Sequence, residues 1–148
     1  MAQPTMQDRV FGKLTWEDET GWWAKFEFSP DNYVDVHIMI EDPMDFLAVR
    51  QTYQTFEKIR THESGIRQFA VGKLLKTYNE YLRHDNRPKL TAAAFTQSLK
   101  LIIINLFSDS SAAVYFDADW LDETEEFVIV SFDQNGEMVE AEIDEMYF

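Results

Sequence analysis

The sequence contains no cysteine. Disulfides, thiolate nucleophiles and sulfur-ligated zinc or iron–sulfur centres are excluded together. The absence also fits a reducing compartment, so the expected location is cytoplasmic. Glycine (5) and proline (4) are scarce. No Gly-x-Ser-x-Gly, glycine-rich phosphate loop or dinucleotide fingerprint occurs. Long apolar runs are missing too. The longest, Leu101-Ile102-Ile103-Ile104 with Leu106 and Phe107, is far shorter than the roughly 20 residues of a spanning helix. Met1 to Asp8 lacks the basic-then-apolar order of a signal peptide.

The most telling scarcity is of cations. The 148 residues hold 27 acids against 13 bases, a formal net charge of −14. Such a balance argues against direct nucleic-acid binding, which requires cations to displace phosphate counterions. It argues equally against docking on an anionic membrane. The deficit is uneven: residues 1–49 carry net −7, residues 50–100 net +6, and residues 101–148 net −13 with no lysine or arginine. A segment without cations cannot neutralise its own carboxylates. Either the central bases fold against it or a partner supplies positive charge.

What is present suits a folded domain. Hydrophobic residues make up 45% and aromatics 15%, too apolar for a disordered chain, and no linker or repeat divides it. A single domain over 1–148 is expected. Val10, Gly12, Leu14 and Trp16, then Trp22, Ala24, Phe26 and Phe28, then Val34, Val36, Ile38 and Ile40 repeat with period two. They are separated by Glu17–Gly21 and Ser29–Asn32, and predict a three-stranded meander. After Asp42-Pro43, Phe46, Val49, Tyr53, Phe56 and Ile59 follow helical spacing. A break at Ser64-Gly65 precedes the stripe Ile66, Ala70, Leu74, Tyr78, Leu82. A helical hairpin is predicted, ending before Asp85-Asn86-Arg87-Pro88, with Thr91 capping a short further helix. Leu99 to Phe107 reads as a strand buried on both faces. Strands over 112–116, 127–132 and 138–143 complete a second meander, the last two joined through Asn135-Gly136, whose residues favour positive φ. The fold class is therefore α+β: N-terminal antiparallel β-meander, central helical hairpin, C-terminal antiparallel β-meander.

Candidate chemistry concentrates in one run. Asp117, Asp119, Asp122, Glu123, Glu125 and Glu126 surround Trp120 and Leu121. Its Asp-x-Asp opening is like a calcium loop, but Leu121 stands at the fifth position and Asp122 where that loop requires glycine. An acidic partner-binding surface fits better, with Trp120 and Leu121 as apolar anchors. The three histidines, His37, His62 and His84, lack zinc-site spacing; His62 and His84 suit helix C-termini. No metal or cofactor is expected. Trp22, Phe26 and Phe28 share a strand face and read as core, whereas Trp23 points to the other face with Lys25 and Glu27.

Phe11-Gly12-Lys13-Leu14, the acidic turn and Gly21-Trp22-Trp23 resemble the opening of a bacterial domain family of unknown function. Related families occur among immunity proteins of polymorphic toxin systems. Phe95, the strand around Leu99–Ile104, Tyr115-Phe116-Asp117-Ala118-Asp119 and the hairpin through Gly136 to Ala141 and Ile143 resemble its C-terminal pattern. The histidine-containing step usual before the penultimate strand is Glu125-Glu126 here. The resemblance implies no catalytic residues. It fits a non-catalytic binding protein of immunity type, and the cation-free C-terminal segment points to a basic toxin or nuclease as the expected partner. Two alternatives are a nucleic-acid-mimicking inhibitor of a DNA-binding protein and a metal-assisted hydrolase using the 117–126 carboxylates.

Overall fold

A computed structural model describes residues 3–84, 89–118 and 126–145. The N-terminal alternation forms strands β1 (Thr5–Asp8), β2 (Gly12–Glu17), β3 (Gly21–Ser29) and β4 (Asn32–Met39). The meander thus has four strands, one more than the three expected. Helices α1 (Phe46–Gln51), α2 (Tyr53–Thr61), α3 (Glu63–His84) and α4 (Ala92–Ser98) follow. Strands β5 (Lys100–Phe107), β6 (Ala112–Asp117), β7 (Glu126–Phe132) and β8 (Met138–Glu145) complete the chain.

Both meanders belong to one eight-stranded sheet, ordered β1 through β8. Every ladder is antiparallel except β4–β5, which pairs in parallel from Asp35↔Ile103 to Met39↔Phe107. A parallel pair requires a crossover, and the four helices supply it.

Local chemistry explains the joints. Asp8 bends the chain between β1 and β2 by accepting from the amides of Val10 (2.8 Å) and Phe11 (2.9 Å). Asp45 caps α1 through the Ala48 amide, and Thr91 caps α4 through the Ala94 amide. Asn79 clips α3 to the approach of α4: its amide donates to the Leu90 carbonyl (2.9 Å) and accepts from the Leu90 N–H (2.8 Å). In the β7–β8 turn, Asp133 Oδ1 accepts from Asn135 and Glu137, and the Gly136 amide closes onto the Asp133 carbonyl. Only Gly136 there has positive φ, so the turn is built around one left-handed residue rather than two.

Cross-strand register sorts the side chains into two faces. On one, Trp16, Trp22, Ile38, Leu106, Ala112 and Phe132 form a continuous row from β2 to β7. The helices bury this face with Phe56, Ile59, Ile66, Ala70 and Phe95, making the main core. Arg67 ties the layers together. Its guanidinium donates to the carbonyls of Leu99 and Thr96, is held by Glu63, and lies over the Phe116 ring.

Candidate functional site

The second face is chemically different. Continuing the register gives the row Thr5, Thr15, Trp23, His37, Asn105, Ala113, Ser131 and Glu140, one residue from each strand. Beside it, Ile103, Tyr115 and Ile129 form a small buried cluster with Ile102, Ala113 and Phe127, made of strand residues alone. Tyr115 and Phe127 meet edge to face at 6.4 Å.

Strand β8 ends this face with carboxylates. Glu140, Glu142 and Asp144 alternate along it, opposite Ser131, Ile129 and Phe127 respectively. Alternate residues on a strand stand about 6.8 Å apart on one side, so the three form a regular negative row beside the apolar cluster. Partial burial, then repulsion from Glu140 and Asp144, pushes the Glu142 carboxyl above its usual range. Among the described residues, strand β8 is last in the sheet order and pairs with β7 alone.

Arg60–Glu57 at 3.3 Å and Arg67–Glu63 at 2.7 Å pair within the helical segment. Lys58 of α2 does reach the β7–β8 turn, where a Cβ on Gly136 would come 3.1 Å from its Nζ.

Of the residues singled out from sequence, the structure places Asp117 and Glu126. Asp117 ends β6 opposite Lys100 and accepts from the Ala118 amide at 2.8 Å. Glu126 opens β7 opposite Glu145. Both are half-buried. Asp119, Trp120, Leu121, Asp122, Glu123 and Glu125 lie outside the described residues, as does the 85–88 turn. Among the described residues no group of three His, Asp or Glu is arranged to hold a metal ion. No described helix is long and apolar enough to cross a membrane. Sequence reading missed the β8 row, although its signal was present: Val139, Ala141 and Ile143 interleave with Glu140, Glu142 and Asp144.

Buried polarity marks the middle of the second face. Asn105 is only 1% exposed, and its Oδ1, like the Trp23 Nε1, is a buried atom with no hydrogen-bond partner. Trp23 is half-buried on this face, with Lys25 and Glu27 at alternate positions on its own side of β3. Burial pushes the His37 imidazole below the ordinary histidine value of about 6.5, against the opposing pull of Asp35 and Glu17. A histidine with a depressed folded pKa is neutral in the fold while the unfolded chain already takes up a proton. Stability is therefore full above about pH 6.5 and falls as pH drops through that value. Urea midpoints followed from pH 7.5 to 5.5 should decline more steeply in the parent protein than in His37→Gln. Parallel curves would mean that His37 does not report the change.

No curated protein and no solved structure matches the chain. Over residues 8–143 it matches the family model described as "Uncharacterized protein conserved in bacteria (DUF2262)", and the chain belongs to that family.

Proposed function

We propose that this chain is a non-catalytic binding protein of immunity type, which neutralises a basic toxin or nuclease through the C-terminal half of its sheet. The observation that carries this reading is the regular carboxylate row of β8 beside the Ile103–Tyr115–Ile129 cluster, in a segment with 13 acids and no lysine or arginine. Burial first, and repulsion from Glu140 and Asp144 second, raise the Glu142 carboxyl, and a cationic partner would relieve the second. Complementary charge of this kind chiefly accelerates encounter and selects orientation, while apolar neighbours supply contact area. Of the sequence-derived run, Asp117 follows Tyr115 on the same face of β6, Glu126 shares the helix-covered side of β7 with Val128 and Val130, and Asp119, Trp120, Leu121, Asp122, Glu123 and Glu125 lie outside the described residues.

The test is a salt series with the purified partner captured on the immobilised chain. Binding to the parent should weaken steeply as salt rises. The triple reversal Glu140→Lys, Glu142→Lys, Asp144→Lys should bind at least about 10-fold more weakly at low ionic strength, with a flattened salt slope. Equal affinity in both proteins retires the reading. The even spacing of the β8 carboxylates also favours a second reading, mimicry of a nucleic-acid backbone. Duplex DNA would then compete for the captured partner, whereas a partner that binds no DNA would exclude it.

A further inference from the structure

Residues 1–49 contain three cations, Arg9, Lys13 and Lys25, and all three line one open cleft of about 730 Å³. The cleft is formed by the β1–β2 turn, the start of β2 and the middle of β3. Such convergence is unexpected in a segment with ten acids. The lining also holds two acids, Asp8 and Glu27, which already accept hydrogen bonds and leave it an excess of one cation. Asp8 accepts from the amides of Val10 and Phe11 and from the Tyr53 hydroxyl. Glu27 accepts from the Tyr33 hydroxyl at 3.5 Å.

The ammonium groups are not so engaged. Neither Lys13 nor Lys25 forms an ion pair among the described residues, although Asp35 faces Lys25 across the β3–β4 ladder. Lys13 and Lys25 both line the cleft beyond the last β2–β3 pair, Thr15↔Trp23. Arg9 is positioned by the face of Tyr53, its guanidinium carbon 5.2 Å from the ring centroid.

We infer that this cleft binds a phosphate-bearing small molecule. A phosphate offers about two charges and several acceptor oxygens, which two ammonium point charges and a planar guanidinium fork can share. A single carboxylate has two oxygens, one too few to give each of the three cations its own acceptor. A bound anion would also offset the positive charge that the two lysines bring to one cleft. The cleft lies at the opposite end of the sheet from β8, so this inference is independent of the proposed partner surface.

Inorganic pyrophosphate is the probe, titrated calorimetrically into the full chain at low ionic strength. The parent should show saturable one-site binding that weakens with added salt. Lys13→Gln/Lys25→Gln should bind about 10- to 100-fold more weakly through loss of two charge-assisted contacts. Lys13→Arg/Lys25→Arg should retain most of the affinity. Without ligand, the glutamine variant should melt no lower than the parent, because neither lysine makes an ion pair among the described residues that the substitution would break. Lack of saturation at about 10 mM pyrophosphate, equal binding by the glutamine variant, or a glutamine variant that melts well below the parent would each overturn the inference.

Discussion

Gly21→Ala should destabilise the protein by roughly 3–5 kcal/mol, an effect far larger than its single methyl group suggests. Gly21 has φ +111°, outside the conformations that L-residues adopt comfortably. A Cβ at this position would fall 2.2 Å from the Ile38 carbonyl oxygen and 3.0 Å from the Ile40 amide nitrogen. Both are backbone atoms, so no side-chain rotation relieves the overlap. The strand end must move, and with it the Trp16–Trp22–Ile38–Leu106 row that spans the sheet beneath the helices. Gly12→Ala is the matched control. Gly12 also has positive φ (+76°), but nothing lies within 4 Å of its would-be Cβ. It should lose only the left-handed strain of about 1–2 kcal/mol. Urea unfolding of the two variants separates steric overlap from backbone strain, and equal losses would refute the account.

Phe56→Ala should cost about 3–5 kcal/mol, a large share of the roughly 5–15 kcal/mol that stabilises a domain. Phe56 has no exposed surface. Its ring stands 4.8 Å from Phe11 and 5.0 Å from Phe26, the latter at 90°. Arg60, one turn later on α2, places its guanidinium over the Phe26 ring at 5.2 Å. Truncation leaves a cavity between α2 and the N-terminal strands, bordered by three elements that cannot all collapse into it. Phe56→Leu fills most of that space and should cost about 1.5 kcal/mol or less. Urea midpoints at constant slope measure both; an alanine loss no larger than the leucine loss would show that the site closes freely.

Much of the secondary structure was legible because burial on one face of a strand leaves a period of two. β2, β3 and β4 carry that signal in Leu14, Trp22, Ala24, Val34, Val36 and Ile38. β1 does not. Thr-Met-Gln-Asp at the sheet edge buries little, so pairing rather than apolar alternation defines it. The helical stripe was visible, but its breaks fall at Thr52 and His62 rather than at Ser64-Gly65. α3 runs through Gly65 because Ile66 and Ala70 bury completely against the core, outweighing a glycine's helix cost of about 1 kcal/mol. His62 closes α2 as its C-cap, in line with the helix-end reading.

The union of two meanders into one sheet was not legible. Periodicity says which side of a strand is buried, not which strand lies beside it. The continuously apolar β5 hinted at a central position, and it does sit between β4 and β6 with a cluster on each face. Attention to the densest acidic run led to 117–126, whereas the β8 carboxylates carry a different signal, equal spacing rather than density. The basic cleft was invisible because Arg9, Lys13 and Lys25 are isolated in sequence and gather only through hairpin register.

The parallel β4–β5 ladder has a kinetic meaning. The hairpins on either side close short loops, while this seam closes only when residues 40–99 bring its strands together. Loop-closure entropy rises with loop length, and non-local pairings are slow to form. The two halves of the sheet should therefore assemble separately and zip together last. Until they do, β4 and β5 present raw edges flanked by Val34, Val36, Ile104 and Leu106. The interval before zipping is when this protein is most vulnerable to aggregation.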